Sequence, residues 1–206
     1  MRIIGITGGI CSGKSGVTKM VLRRGFPVID CDKITDALYE EQWFLEELKK
    51  LFGSRILYNG EVNRGRLGSL VFSEYKEMKK LNKFCFPLIL QEINRLLEVY
   101  MSEGCEYVFI DAPTLFESGL DKCVSFTDFW IVSVTKVTQI ERLKRRKPYL
   151  SQKAINNIFA SQLENRDRLQ YATYIIPNDT RNPKLLADKV DRGLEIIGAI
   201  SREDRL

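Results

Sequence analysis

The chain of 206 residues is 44% hydrophobic and 29% charged, a composition that supports one buried core with small appended lobes. Its net charge of +5 suits an anionic partner and equally suits simple solubility. The chain has no histidine, which excludes Ser-His-Asp hydrolysis, Cys-His nucleophiles and histidine-ligated metals. No apolar run approaches bilayer-spanning length and no signal peptide precedes the first strand, so we expect a cytoplasmic protein without a transmembrane segment.

The first predicted strand, Arg2 to Thr7, leads into a glycine-rich segment that matches the phosphate-binding loop pattern G-x-x-x-x-G-K-[ST], and a helix follows. Glycines allow a tight turn whose amide groups surround phosphate oxygens at the helix N-terminus. Lys14 would neutralise the β and γ phosphates, and the Ser15 hydroxyl would bind Mg²⁺. The pattern predicts a site for MgATP or MgGTP, formed by Gly8, Gly9, Ile10, Cys11, Ser12, Gly13, Lys14, Ser15 and Gly16.

The five cysteines are scattered and never form a C-x-x-C pair. This spacing argues against both a disulfide framework and a zinc site, so we predict reduced thiols. Cys11 lies inside the predicted phosphate loop, where a helix N-terminus and a nearby lysine can lower the pKa of a thiol. The sequence leaves two alternatives open for Cys11, a reactive thiolate and an inert buried thiol.

Two aspartates follow predicted strands at the sheet edge where ligands bind in open α/β folds. Asp32 lies just beyond the strand from Pro27 to Asp30, and it could be the base for an acceptor hydroxyl or the N-cap of the next helix. Asp111 ends the strand that starts at Tyr107, and it could hold Mg²⁺ through water, orient a substrate, or form a turn. The residues alone leave these alternatives open.

Two more apolar runs, Phe129 to Val134 and Tyr174 to Ile176, bring the predicted strands to five. Continuous apolar strands that alternate with helices indicate a parallel sheet with both faces covered, hence an α/β fold of the P-loop NTPase type flanked by helices. We expect a single domain over 1–206, with its core at 1–32, 104–141 and 166–206. The stretch from Asn182 to Ile200 has apolar residues at helical spacing and predicts a packing helix.

A long, mostly helical insertion, about 33–103, interrupts the predicted strands and is expected to be a lobe for the second substrate. Within it the pattern predicts a helix from Thr35 to Phe52, a turn at Tyr58-Asn59-Gly60, and helices from Leu67 to Met101.

A basic cluster lies on a predicted helix that begins near Val137 and stops at Pro148; its members are Arg142, Lys144, Arg145, Arg146 and Lys147. Nucleic acid is a poor target, because neither a nucleic-acid module nor interleaved aromatic residues surround the cluster. Arginines that close over triphosphate oxygens, as in kinases, explain it better. We therefore expect an arginine-bearing lid at about 142–165.

Several segments, in their order and spacing, resemble the dephospho-CoA kinase family. The matching segments are Gly5-Ile6-Thr7-Gly8-Gly9-Ile10, Val28-Ile29-Asp30-Cys31-Asp32, Val62-Asn63-Arg64 and Asp111-Ala112-Pro113-Thr114-Leu115-Phe116-Glu117, with Gln139, Arg142, Arg146, Gln162 and Asn178 after them. The similarity runs through almost the whole chain. It implies a kinase that uses ATP with Mg²⁺ to phosphorylate the ribose 3′-hydroxyl of dephospho-CoA, giving CoA and ADP, with no nucleic-acid partner.

The resemblance also implies roles for single residues. Asp32 would be the catalytic base, Lys14 and Arg142 would assist transfer, and Arg64 would bind the acceptor. The other implied contacts are Asp111, Pro113 and Phe86 with the acceptor, and Arg142, Arg146 and Asn178 with the nucleotide.

Four positions depart from the family pattern: Gly16 replaces a usual threonine, Cys11 a glycine, Phe86 a histidine and Asp36 a frequent arginine. Phe86 and Asp36 bear on the acceptor more than on the donor. Two alternatives therefore accompany the kinase prediction. One is a P-loop kinase of another small hydroxylated acceptor, such as a nucleoside monophosphate, and the other is a catalytically weak nucleotide-binding module.

Overall fold

A parallel sheet organises the larger part of the chain in the computed structural model, which describes residues 1–180, 182–201 and 203. In chain order the elements are β1 (Arg2–Thr7), α1 (Lys14–Arg23), β2 (Val28–Asp30), α2 (Cys31–Leu38), α3 (Gln42–Phe52), β3 (Leu57–Tyr58), β4 (Glu61–Val62), α4 (Arg64–Ser73), α5 (Tyr75–Ser102), β5 (Tyr107–Asp111), β6 (Asp128–Ser133), α6 (Lys136–Arg146), α7 (Gln152–Ala160), α8 (Asn165–Leu169), β7 (Tyr174–Pro177) and α9 (Pro183–Ile196). The five predicted strands are confirmed, with bounds that differ by at most one residue at either end.

The sheet has the strand order β2-β5-β1-β6-β7, and every neighbouring pair is parallel. The carboxyl ends of all five strands therefore lie along one edge, where ligands bind in folds of this type. The register places Asp111 of β5 opposite Ile6 of β1 and opposite Asp30 of β2. The expected α/β fold is confirmed, and its topology puts the phosphate loop, which follows the central strand β1, at the middle of this edge.

The sheet core explains why the strands are continuous apolar runs in the sequence. Ile4, Ile6 and Trp130 are fully buried between the strands and the helices that cover them, as expected for strands with both faces packed. Helix α9 contributes Val190 and Leu194 to the same core. The prediction of a packing helix at the end of the chain is therefore confirmed for α9.

A buried ion pair joins Arg24, the residue that follows α1, to helix α9. The Arg24 guanidinium hydrogen-bonds the Asp191 carboxylate, and Asp191 is only 1% exposed. Arg24 also donates to the Met20 carbonyl at 3.2 Å. A buried carboxylate needs such a partner, because burial of an unpaired charge is strongly unfavourable.

The chain divides into two compact units, Met1–Asp30 with Arg95–Leu206, and Cys31–Asn94. The second unit has its own core, built around Phe44, Leu48 and Ile56. The helix predicted from Thr35 to Phe52 is two helices, α2 and α3, in the structure. Across the described residues, no helix combines the length and the apolar character that crossing a membrane requires.

A two-stranded hairpin, β3 with β4, lies between the helices of the second unit. The predicted turn at Tyr58-Asn59-Gly60 connects the two strands. Asn59 has a φ of 50° and Gly60 a φ of 82°, the positive values that favour an Asn-Gly pair in a tight hairpin turn. Helix α4 follows, and the Asn63 side chain caps it by accepting a hydrogen bond from Arg66 N at 2.9 Å.

Two helical glycines test how closely their helices pack against neighbouring side chains. A Cβ on Gly193 in α9 would lie 2.7 Å from a Tyr174 ring carbon and 2.8 Å from Trp130 ring carbons, whereas a Cβ on Gly68 in α4 would meet nothing within 4 Å. Alanine is favoured over glycine in a helix by roughly 1 kcal/mol, but overpacking costs about 1–3 kcal/mol. We expect Gly193→Ala to lower the free energy of unfolding and Gly68→Ala to leave it unchanged or raise it, measured by denaturant titration. Equal stability of the two variants would contradict the packing described here.

Candidate nucleotide-binding site

The loop between β1 and α1 has the backbone geometry of a tight turn. Gly13 precedes α1 with a φ of 92°, and Cys11 has a φ of 58°, a left-handed value that is uncommon for any residue except glycine. A Cβ on Gly13 would also overlap the Asn178 side-chain amide. Glycine is therefore required at position 13, and the loop leads directly into the N-terminus of α1, the end of a helix that favours bound anions.

A buried ion pair links the loop lysine to the end of β5. Lys14 Nζ hydrogen-bonds Asp111 Oδ1, and Thr18 Oγ1 donates to Asp111 Oδ2 at 2.6 Å. Asp111 is 3% exposed, and both of its carboxylate oxygens have partners. The structure thus brings together two predicted site residues, and it adds Thr18, which the loop pattern did not single out. The signal that could have found Thr18 is its position one helical turn beyond Lys14.

The Pro113 segment lies beside the end of β1. Thr7 Oγ1 donates to the Pro113 carbonyl at 3.3 Å. Thr7 is fully buried, so its hydroxyl needs this partner. The contact ties the loop after β5 to the strand that carries the phosphate loop.

Arg142 of α6 lies against the phosphate loop and uses its fork of N–H groups on backbone carbonyls. Nη1 donates to the Cys11 and Ser12 carbonyls at 3.2 and 3.3 Å, and Nη2 donates to the Asn178 carbonyl at 2.7 Å. Asn178 in turn donates its side-chain amide to the Ser12 carbonyl at 2.8 Å. Both residues therefore hold the loop backbone in this structure.

The start of α6 is anchored by Asp179, just beyond β7. Asp179 Oδ1 accepts from Thr135 N at 2.9 Å, from Thr135 Oγ1 at 3.0 Å and from Thr138 Oγ1 at 2.9 Å. The Thr135 backbone N–H, with help from the two hydroxyls, lowers the pKa of Asp179 below its usual value. This anchor fixes the helix that carries Arg142.

The reactive-thiol alternative for Cys11 is not supported. Burial raises the pKa of the Cys11 thiol above its usual value, and this effect outweighs the opposing charges of Arg146 and Arg142. Less thiolate is then present at neutral pH than in a free cysteine. All five cysteines are free thiols, as predicted.

Three more loop positions differ in their surroundings. The Ser15 side chain lies in the first turn of α1 and is exposed. Ser12 is buried, and its hydroxyl is one of the buried polar atoms of the described residues that have no hydrogen-bond partner. Gly16 faces α9, and a Cβ there would lie 3.3 Å from a Leu186 methyl carbon. The threonine usual in the family would therefore have to displace Leu186 slightly.

A cavity of about 460 Å³ opens beside Gly9. Its walls come from α6, α7, α8 and the segment between α7 and α8, and its lining includes Gln139, Ile140, Phe159, Gln162, Asn165 and Arg168. Arg168 is 1% exposed and donates to Glu117 Oε1 at 2.7 Å. The resemblance placed Gln139 at the spacing of the lid residues and matched Gln162 to a later position of the family pattern. It did not include Arg168, whose importance depends on tertiary contacts.

Three predicted acceptor-site residues belong to the second compact unit. Asp32 lies in the first turn of α2, which begins one residue earlier at Cys31. Arg64 begins α4, pairs with the Asp36 carboxylate, and lies over the Tyr39 ring with its guanidinium carbon 4.2 Å from the ring centre. Phe86 is a half-buried residue of α5. Asp36, the departure from the family pattern, is thus a direct partner of Arg64.

Comparison with known proteins finds relatives along most of the chain. A family model described as dephospho-CoA kinase matches residues 2–184. The dephospho-CoA kinase of Bacillus cereus is 37% identical over 179 residues, which are 86% of this chain and 88% of that protein. The dephospho-CoA kinase of Fusobacterium nucleatum is 36% identical over 199 residues, 96% and 99% of the two chains.

A similar solved structure is TT1252 from Thermus thermophilus, with a TM-score of 0.78 and 28% identity over 96% of this chain and 97% of that one. The family match contains the phosphate loop, the segment after β5 and the α6 arginines in one continuous span. The chain belongs to the dephospho-CoA kinase family.

Proposed function

We propose that this protein transfers the γ-phosphoryl group of ATP to the ribose 3′-hydroxyl of dephospho-CoA, giving CoA and ADP. The observation that carries the proposal is the phosphate loop at the carboxyl edge of the sheet, with Lys14 held at Asp111, in a chain that belongs to the dephospho-CoA kinase family. The two small-molecule substrates are the proposed partners, rather than nucleic acid, and the proposed location is the cytoplasm.

On the donor side, the loop amides and Lys14 bind the nucleotide phosphates. A triphosphate carries enough negative charge to compete with Asp111 for the Lys14 ammonium. Arg142 and Arg146 belong to the proposed lid at about 142–165. Because the Arg142 fork lies against loop carbonyls, we assign it a part in shaping the nucleotide site in addition to closing over phosphates.

The residues present fit Mg²⁺ bound together with the nucleotide. Ser15 offers an exposed hydroxyl in the first turn of α1, and Mg²⁺ prefers oxygen ligands while keeping phosphate oxygens and waters in its shell. Lys14 and Thr18 occupy the Asp111 oxygens, so Asp111 would act on the ion through water. When bound, the metal neutralises charge on the phosphates.

On the acceptor side, the proposal uses the helical lobe at about 33–103. The Asp32 carboxylate takes the proton from the 3′-hydroxyl while the oxygen forms its bond to the γ-phosphorus and the bond to the leaving ADP breaks. Arg64 binds an anionic group of the acceptor, and Phe86, Asp111 and Pro113 complete the proposed contacts. Asp36 sets the local charge around Arg64, because it pairs with that residue.

The first prediction concerns the acceptor. The purified protein with MgATP should form ADP when dephospho-CoA is added, the product should be CoA, and AMP should not substitute. Lys14→Met should abolish turnover. Lys14→Met also leaves Asp111 buried without its partner, which destabilises the fold. The double variant Lys14→Met/Asp111→Asn removes that unpaired charge, so it should fold and still lack turnover. ADP formation that needs another acceptor would reassign the substrate, and ADP formation with no acceptor at all would contradict the proposal.

The second prediction separates chemistry from binding. Asp32→Asn should lower kcat by about a hundredfold or more, the usual range for a lost general base, with little change in the KM for dephospho-CoA. Arg64→Ala should raise that KM by about tenfold, since a charge-assisted hydrogen bond is lost.

Two control variants belong to this kinetic experiment. Asp188→Asn removes an exposed carboxylate on α9, and Arg66→Ala removes another exposed arginine of α4. Both should match the wild type in kcat and KM. An Asp32→Asn enzyme with unchanged kcat would remove Asp32 from the role of base, and an unchanged KM in Arg64→Ala would do the same for acceptor binding.

A further inference from the structure

The two backbone polar atoms of Ile10, inside the phosphate loop, are each held by a glutamine side chain. Gln139 Nε2 of α6 donates to the Ile10 carbonyl at 2.9 Å, and Gln162 Oε1 accepts from Ile10 N at 2.9 Å. Gln139 is 8% exposed. Buried or partly buried amides are normally paired, but here both partners are backbone atoms of one loop residue. We call Gln139 and Gln162 the glutamine clamp.

The clamp belongs to a wider pattern in which loop carbonyls are bound from outside the loop. Gln139 binds the carbonyl of residue 10, Arg142 the carbonyls of residues 11 and 12, and Asn178 that of residue 12. In a planar trans peptide the C=O of one residue and the N–H of the next point in opposite directions. The amides of residues 11, 12 and 13 are therefore turned away from these side chains.

The amide of residue 12 has a turn partner within the loop. Ser12 N donates to the Gly9 carbonyl at 3.1 Å. The Cys11 and Gly13 amides have no such turn partner among these contacts. Their direction toward a bound phosphate therefore depends most on the side chains outside the loop. Without them, rotation of a peptide plane would replace an amide donor by a carbonyl oxygen facing the phosphate.

Gln162 is itself held in place by a buried ion pair. The next residue, Leu163, donates its N–H to Glu117 Oε1 at 2.9 Å, and the same oxygen accepts from Arg168 Nη2 at 2.7 Å. A Cβ on Gly9 would overlap the Gln139 side-chain amide and lie 3.3 Å from Arg168 Nη1. The missing side chain at Gly9 thus leaves the space that the Gln139 amide occupies.

We propose that Gln139 and Gln162 are positioning residues that fix the two peptide planes on either side of Ile10. Gln162 holds the Gly9–Ile10 plane and Gln139 holds the Ile10–Cys11 plane, so that the Cys11 amide points toward the nucleotide phosphates. The inference rests on the proposed function only in taking ATP as the nucleotide. The two glutamines have opposite hydrogen-bonding duties: position 139 must donate and position 162 must accept. This asymmetry separates positioning from general packing.

The experiment compares Gln139→Glu with Gln162→Glu, because both variants put the same negative charge beside the same loop residue, Ile10. An ionised carboxylate accepts hydrogen bonds but cannot donate them. Gln162→Glu therefore keeps its bond to Ile10 N, whereas Gln139→Glu loses its bond and faces a carbonyl oxygen. We expect MgATP affinity, measured by displacement of a fluorescent ATP analogue, to be about tenfold weaker in Gln139→Glu than in Gln162→Glu.

A pH series adds a signature that a purely structural role lacks. When the new carboxyl at position 139 is protonated it becomes a donor again, so nucleotide affinity of Gln139→Glu should recover as the pH falls. The MgATP affinity of Gln162→Glu, relative to the wild type, should also rise as the pH falls. That rise comes only from loss of the carboxylate charge, so it should be smaller than the recovery in Gln139→Glu. Gln170→Glu, an exposed change just beyond α8, controls for the added charge and should bind MgATP as the wild type does.

Equal losses in Gln139→Glu and Gln162→Glu, or no loss in either, would overturn the inference. Gln139→Met keeps the side-chain length without a charge or a donor, so it gives the same comparison if Gln139→Glu does not fold, and it too should bind MgATP more weakly than Gln162→Glu. The binding measurement contains no acceptor. A wild-type protein that binds MgATP without phosphorylating dephospho-CoA would therefore refute the proposed function, while the glutamine variants would still decide the inference.

Discussion

A buried ion pair at the carboxyl edge of the sheet joins the phosphate loop to its neighbouring strand, and the site depends on it. Asp111 lies opposite Ile6 of β1 in the sheet register, so its carboxylate lies beside the loop that follows β1. Removing two charges from water is costly, and the cost is recovered only when the remaining hydrogen-bonding positions are filled. Thr18 fills one of them. The arrangement keeps the Lys14 charge beside the loop. An anion with more negative charge than a single carboxylate can compete for it there.

The loop also stores local strain that its surroundings must hold. Cys11 has a left-handed backbone, a conformation that costs a non-glycine residue roughly 1–3 kcal/mol and persists only where neighbours enforce it. Here the neighbours are side chains from α6 and from beyond β7, which bind successive loop carbonyls. Single hydrogen bonds of this kind are worth about 1 kcal/mol net, so several together are needed to hold one backbone shape. Because the loop is already ordered, nucleotide binding does not have to supply the free energy of ordering it.

The second unit accommodates its departure from the family pattern by a local pairing. Arg64 is about half exposed, as is Asp36, and ion pairs this exposed contribute at most about 1 kcal/mol because water and salt screen them. The Tyr39 ring under the guanidinium adds a cation–π contact. An anionic ligand that approaches Arg64 can therefore replace Asp36 as its partner at small cost. An aspartate at position 36 is therefore compatible with the acceptor binding proposed for Arg64, although it lowers the positive charge nearby.

The sequence by itself determined the strands, the phosphate loop and the family, because each depends on a local pattern: apolar runs of strand length, glycines at fixed spacing, and short motifs in a fixed order. It also indicated Lys14, Asp111, Arg142 and Asn178 as candidate site residues, but it did not indicate what they contact. Only the tertiary structure decided that Asp111 pairs with Lys14, that Arg142 binds loop carbonyls, and that burial rather than the adjacent charges sets the direction of the Cys11 pKa. It likewise divided the helix expected from Thr35 to Phe52 into two. The pairings and the Cys11 pKa depend on residues 97 or more positions apart meeting in space, and on how much water their meeting excludes, neither of which a local pattern records.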